Sequence, residues 1–325
     1  MALLRSFDSD DIRRLAPMGA VIAALRDCFA ADPAHIDRQG YPVAGGEFLL
    51  MPAVDTDAAG IKLIMIQPAN AARGKPIISG TYVLFDAAAG HPEAVLDGAA
   101  LTNLRTPAIS ALATDALARR DVTTLGIIGS GPQAIGHVEA MLCVRPSISD
   151  IVISSRDPDH AQAVVDLVLA NPAVMPTGSV KVGTYAEAAA CDIVCTATRA
   201  TEPILDVGMI RPGAHINAVG SYRTDMRELS TALVAACTVV VDEIGAAHHE
   251  AGDLALAVAD GGWSWDQVAG DLTDVSAGTL VRRAADEITF FKSVGLAVQD
   301  LVVARLVANA DAPSAASTAS GTVAS

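Results

Sequence analysis

From residue 122 to residue 243 the chain repeats one rhythm, short apolar runs of strand length separated by helix-length stretches with a polar face. Runs at 122–128, 150–155, 179–185, 192–198, 215–220 and 238–243 read as strands. Strands that alternate with helices form a parallel sheet covered on both faces, which is why such strands are apolar nearly throughout. Before residue 120 the rhythm changes. An amphipathic stretch at 18–31 leads into apolar segments at 47–53, 61–67 and 80–86, punctuated by Gly and Pro. That pattern suits an antiparallel or mixed sheet. A long apolar stretch at 287–307 reads as a closing helix that crosses back to the first sheet. The expected fold class is α/β, with one α+β domain made of residues 1–119 and 295–311 and a second domain spanning 120–294. Residues 312–325, mostly Ala, Ser and Thr, have no apolar periodicity and read as a disordered tail.

The segment from Gly126 to Gly136, Gly-Ile-Ile-Gly-Ser-Gly-Pro-Gln-Ala-Ile-Gly, sets a GxGxxA turn between the first strand of the second domain and its first helix. A dinucleotide diphosphate requires this arrangement, so the second domain reads as a Rossmann dinucleotide-binding domain. Gly129 and Gly131 let the backbone turn tightly and approach the phosphates, Ala134 lets the helix pack on its strand, and the helix start at Pro132 and Gln133 faces the negative charge. Cofactor choice is read at the end of the next strand, where Ser154, Ser155 and Arg156 stand and no carboxylate does. An arginine beside two hydroxyls suits a 2'-phosphate, which favours NADPH while leaving NADH possible. The alternative is that Arg156 is a solvated loop residue and Asp157 takes the ribose. The ends of later strands add Thr196, Ala197, Thr198 and Val219 to the expected cofactor site.

Composition narrows the partners. A chain of 325 residues can bury about two substantial cores. Its 37 acidic and 22 basic residues give a net charge of −15, against a nucleic acid or anionic membrane partner, since either needs a basic face. The first residues lack the apolar core of a signal peptide and no apolar run is long enough to cross a bilayer, so a cytoplasmic protein is expected. Cys28, Cys143, Cys191, Cys195 and Cys237 are scattered through apolar patterns and read as buried thiols. His248, His249, Glu250 and Asp253 match no zinc or facial-triad spacing, so no metal is expected.

Two cations in the first domain have surroundings wrong for surface charge. Lys62 interrupts Gly-Ile-Lys-Leu-Ile-Met-Ile, a strand otherwise built for burial, where an ammonium needs an anionic partner or a cavity. Arg105 precedes Thr106 and Pro107, which read as a helix cap and first turn, a ready site for a carboxylate. For each the alternative is structural: an edge-strand lysine, and an arginine paired with one of many acids. Asp300, an acid inside an apolar helix pattern, faces either the interdomain cleft or solvent. Asp225, Arg227 and Glu228 are expected to shape their loop through local ion pairs.

With these residues in place the chain resembles the ornithine cyclodeaminase/mu-crystallin family. The segments that carry the resemblance are Glu-Phe-Leu-Leu-Met-Pro-Ala at 47–53, Gly-Ile-Lys at 60–62, Leu-Thr-Asn-Leu-Arg-Thr-Pro-Ala at 101–108, the glycine turn, His-Ile-Asn-Ala-Val-Gly at 215–220, Asp-Met-Arg-Glu-Leu at 225–229, Glu-Ala-Gly-Asp at 250–253 and Phe-Lys-Ser-Val-Gly-Leu-Ala-Val-Gln-Asp at 291–300. The resemblance implies that the first domain binds substrate and forms a homodimer, and that the C-terminal helix completes it. It also implies Arg38, Lys62 and Arg105 as ligands of a substrate carboxylate and Ser293 beside the nicotinamide.

The departures bear on the reaction. Ornithine cyclodeaminases carry a glutamate just before Leu-Met-Pro and an aspartate in a Gly-Gly-Asp loop, and here those positions hold Leu49 and Tyr222, unless the alignment shifts to put Glu47 in the first. The loop at 220–229 is similar to those of mu-crystallin and imine-reducing members. The implied activity is NAD(P)H-dependent reduction of a cyclic ketimine carboxylate, 1-pyrroline-2-carboxylate or 1-piperideine-2-carboxylate, to the cyclic amino acid. The alternatives are an ornithine cyclodeaminase, an alanine dehydrogenase, and a non-catalytic NADP-dependent binding protein for small molecules. Lys62 is the expected catalytic residue, either as a proton donor with a lowered pKa or as part of a carboxylate clamp.

Overall fold

The computed structural model describes residues 4–311, so the expected tail at 312–325 lies outside the described residues. Two sheets organise the chain. The first contains β1 (Arg5–Phe7), β2 (Gln39–Val43), β3 (Gly46–Val54), β4 (Ala58–Ile66), β5 (Ile78–Asp86) and β6 (His91–Asp97). Its order is β1-β6-β5-β4-β3-β2, antiparallel except where β1 runs parallel to β6. Side chains on a strand alternate between faces. One face, with Leu49, Met51, Lys62, Ile64, Tyr82 and Leu84, is buried beneath helices Gly98–Leu117 and Ala297–Ala310, on which helix Met18–Ala30 packs in turn. The other face carries Phe48, Leu50, Ile61, Leu63, Met65 and Val83, paired across strands and only half-buried.

The second sheet contains β7 (Thr124–Ile128), β8 (Asp150–Ser154), β9 (Val180–Val182), β10 (Ile193–Thr196), β11 (His215–Ala218), β12 (Thr238–Val241), β13 (Val268–Gly270) and β14 (Thr289–Lys292). It is parallel throughout, in the order β13-β12-β14-β11-β10-β7-β8-β9. The chain builds outward from β7 through β8 to β9, then returns to the other side of β7 with β10. That reversal opens a crevice at the carboxyl ends of β7 and β10, where open α/β sheets bind their ligands. The α/β class with a Rossmann sheet is therefore the observed one, and a C-terminal helix packs on the first sheet.

Three expectations need correction. The closing helix expected at 287–307 is instead β14, a loop and helix Ala297–Ala310. A buried parallel strand and a buried helix look alike in apolar pattern, and only the gap between β11 and β12 made residues 289–292 a strand. Thr106 and Pro107 do not start a helix. Asp97 caps that helix by accepting from the Ala99 and Ala100 amides, and Pro107 lies in its middle. Pro107 has no amide to offer the Asn103 carbonyl, which faces Gly136, where any side chain would press on Pro107 and on that carbonyl, so the two helices cross closely at this glycine. Cys191 and Cys195 are buried, but Cys28 and Cys237 are half-buried and Cys143 is exposed; all five are free thiols.

Candidate functional site

The glycine turn has the local geometry that a diphosphate needs. Gly129 has φ +133°, a conformation denied to other residues, and a Cβ there would sit 2.7 Å from the Ala197 carbonyl. Nothing lies within 4 Å of the corresponding point on Gly131, which leaves the approach open. Gly131 is the N-cap of helix Pro132–Val144, and no side chain caps that end, so the positive end of the helix is open to an anion. Ala134 is buried on the strand. Gln133 donates to Thr102 O and Asn103 Oδ1, tying the turn to the first domain, while its own buried Oε1 has no partner. These features fit a dinucleotide.

The flanking residues divide into exposed and committed groups. Ser154 is buried at the end of β8, Ser155 donates to the Asp157 carbonyl at 2.6 Å, and Arg156 is exposed. Asp157 caps the next helix through the Asp159 amide. Thr196 Oγ1, Thr198 N, Thr198 Oγ1 and Gly220 N all donate to the buried carboxylate of Glu228, at 2.7–2.9 Å. Glu228 thus ties the ends of β10 and β11 together, with Ala197 and Val219 between its anchors. Burial and the neighbouring Asp253 push its carboxyl up, against Lys292 and these donors. Lys292, also buried, donates to Ser221 at 2.7 Å and lies 3.1 Å from Asp253, which accepts the Glu228 and Leu229 amides. The loop expected to be held by local ion pairs has one, Arg223 with Asp225; Arg227 reaches Asp260, and Glu228 is a buried hydrogen-bond hub.

The structure gathers the three expected substrate cations around two acids. Lys62, fully buried on β4, directs its ammonium at Asp300 Oδ1 (2.8 Å), Asp300 Oδ2 (2.7 Å) and Thr102 Oγ1 (3.1 Å). Burial lowers its pKa to about 8 even though Asp300 works in the opposite direction. Arg105 donates from Nη1 to Gln299 Oε1 at 3.0 Å and lies 3.6 Å from Asp300 by Nε, an atom left without a hydrogen-bond partner. Gly295, at φ +81°, lets that guanidinium in; a Cβ there would collide with Arg105 Nη1. Arg38 donates to the carbonyls of Val294 and Gly295 and pairs with Glu250 at 2.8 Å. Asp242 completes the loop by accepting from Ser293 Oγ (2.9 Å), Val294 N (3.0 Å) and Gly295 N (2.7 Å).

Beside these groups opens a cavity of about 460 Å³, lined by Arg38, Glu47 and Leu49 from one sheet's side and by Tyr222, Arg223, Asp225, His249 and Glu250 from the other. Glu47 and Leu49 point the same way from β3, so both line it. Among the described residues no three His, Cys, Asp or Glu side chains are grouped to hold a metal. Sequence reasoning left Asp300 open and missed Asp242 and Glu250 as site residues. Asp242 had a faint signal, a carboxylate at the end of an all-apolar strand. Glu250 had only its place in the Glu-Ala-Gly-Asp segment.

Comparison with known proteins gives a consistent picture. A profile of the ornithine cyclodeaminase/mu-crystallin family matches residues 14–313. A Delta(1)-pyrroline-2-carboxylate reductase of Bacillus cereus is 38% identical over 313 residues, covering 91% of this chain and 93% of the relative. Among solved structures, Thermococcus litoralis Delta(1)-pyrroline-2-carboxylate reductase in complex with NADH and L-proline superposes with a TM-score of 0.88 at 30% identity, over 94% of this chain and 97% of that one. An archaeal alanine dehydrogenase dimer with bound NAD superposes with a TM-score of 0.87 at 28% identity, over 94% and 95%.

Proposed function

Because this chain belongs to the ornithine cyclodeaminase/mu-crystallin family, and because Arg38 and Arg105 converge beside the crevice of a dinucleotide-binding sheet, we propose that it reduces a cyclic ketimine carboxylate to the cyclic amino acid. It is an oxidoreductase acting on an imine bond with a nicotinamide cofactor. The observation that carries the substrate class is the cluster itself: cations held at fixed positions by Asp300, Gln299 and the backbone carbonyls of a loop that Asp242 anchors through the Gly295 amide. Bound there, the substrate carboxylate fixes the ring against the crevice, which is the positional part of catalysis. The reduced nicotinamide supplies hydride when bound, and Gly129, Gly131, Pro132, Gln133 and Ala134 are the residues proposed to hold its diphosphate. Ser293, fixed by Asp242, is proposed to lie beside the nicotinamide.

Lys62 is proposed to act as fixed positive charge rather than as a donor, since all three of its protons are directed at acceptors. NADPH is the proposed cofactor on the strength of Arg156, exposed and without a carboxylate at the strand end. The test is oxidation of NADPH and NADH in parallel against 1-pyrroline-2-carboxylate, 1-piperideine-2-carboxylate, and pyruvate with ammonia, beside ammonia release from ornithine. Fast ring-imine reduction with NADPH ahead of NADH is expected. Efficient ornithine turnover would overturn the substrate reading and give Glu47 the role of the missing carboxylate, and preference for NADH would overturn that of Arg156.

A homodimer is proposed through the outer face of the first sheet. There Phe48 pairs with Met65, Leu50 with Leu63 and Ile61 with Val83, a contiguous apolar surface of the kind that marks an interface. Light scattering should give a mass of two chains, and Leu63→Arg should halve it. A monomeric parent protein would refute the interface.

A further inference from the structure

Glu228 is a fully buried acid whose place in the sheet sets it beside the path of the cofactor. The dinucleotide turn follows β7, and the loop at 294–295, which binds Arg38 and lies against Arg105, follows β14. Between these two strands the sheet runs β7-β10-β11-β14. A cofactor with its diphosphate at the turn and its reactive ring against a substrate held by those cations must therefore pass over the carboxyl ends of β10 and β11. Glu228 is fastened there. Its Oε1 accepts from Thr198 N at 2.8 Å and Thr198 Oγ1 at 2.7 Å, and its Oε2 accepts from Thr196 Oγ1 and Gly220 N, both at 2.9 Å. Only glycine fits at 220, since a Cβ there would lie 2.5 Å from Glu228 Oε1.

This geometry keeps the carboxyl ionised. Each oxygen already takes two donors, and a proton on either would turn one of them away. Burial and Asp253 press towards the neutral acid, whereas Lys292 and the donors press the other way. The charges around it do not cancel. Lys292 lies 3.1 Å from Asp253 and donates to Ser221, while Asp253 accepts the Glu228 and Leu229 amides. One buried cation thus faces two buried carboxylates, which leaves one negative charge over. A buried charge without a counter-ion is costly, so the fold rewards a positive charge that arrives at the ends of these strands.

Resting on the imine-reductase reading, we propose that Glu228 is a fixed negative charge that favours the oxidised over the reduced nicotinamide and so draws hydride towards the substrate. Only the oxidised ring is cationic. Hydride leaves its C–H bond with both electrons for the carbon of the protonated imine, whose π pair settles on nitrogen, and the positive charge passes to the cofactor ring. A carboxylate held in place beforehand stabilises that charge as it develops, with no reorganisation at the moment of transfer.

Glu228→Gln keeps the shape and removes the charge. In calorimetric titrations without substrate it should weaken NADP⁺ relative to NADPH by about 10-fold, which one charge exerts at about 12 Å where the effective dielectric constant is about 20. The same shift is expected between NAD⁺ and NADH, because the ratio within each pair cancels the 2'-phosphate. Thr196→Val is the control. It removes one donor to Glu228 and keeps the charge, so it should leave the ratio at the parent value. The parent protein supplies a second test that needs no variant to fold, since it should bind NADP⁺ at least as tightly as NADPH. The proposal is overturned if Glu228→Gln leaves the ratio unchanged, with or without an equal loss of both forms, if Thr196→Val shifts the ratio as far, or if the parent prefers the reduced form. A parent that reduces neither ring fails the imine-reductase reading by itself, because the ratio is read without substrate, and the two claims stay separate.

Discussion

Asp300→Asn is expected to lower the free energy of unfolding by about 3–5 kcal/mol, the cost of leaving one member of a buried ion pair without its partner. Lys62 and Asp300 are both fully buried, and the carboxylate supplies two of the three acceptors of the ammonium. Asparagine offers one oxygen and no charge. Guanidinium unfolding at several pH values checks this and adds a sign. The pKa of Lys62 falls from 10.5 when unfolded to about 8 when folded, so between these values the unfolded chain binds the extra proton. Stability from this group therefore rises as pH climbs from about 8 towards 10.5. In the variant the folded pKa drops further and the rise should begin at lower pH. Equal midpoints for parent and variant at neutral pH would show that water, not Asp300, satisfies Lys62.

Arg105→Lys should raise KM for the imine by about 10- to 100-fold, equivalent to the roughly 1.5–3 kcal/mol of a charge-assisted hydrogen bond, while NADPH affinity stays as it was. The guanidinium spans Gln299 and Asp300 and passes close over Gly295. Lysine keeps the charge but cannot hold one partner while presenting a fork to a carboxylate. Steady-state kinetics with a separate cofactor titration test it. Unchanged KM would place the substrate carboxylate on Arg38 alone, and a matching loss of cofactor binding would make Arg105 a structural residue.

How much of this was legible differs from feature to feature. The glycine turn was readable because its chemistry is local: φ +133° at Gly129 and an uncapped helix start are fixed by a few consecutive residues. Lys62 was readable as an anomaly, since a charge amid β-branched and apolar neighbours signals a buried partner, but its sequence did not name that partner. The partner is 238 positions away. Likewise the pattern around Arg105 suggested a helix start. A longer helix capped by Asp97 overrode it, because packing against the helix at Gly136 tolerates a mid-helix proline.

By itself, then, the sequence determined the parallel sheet, the dinucleotide turn and the positions of the cations, because strand period, glycine geometry and the cost of burying charge act on neighbouring residues. Tertiary structure alone decided that residues 289–292 fill the gap between β11 and β12, that Asp300 meets Lys62, and that Glu250 faces Arg38 across the cleft. Each of these joins segments distant in the chain. Which acid neutralises which cation depends on burial and distance that no local pattern encodes.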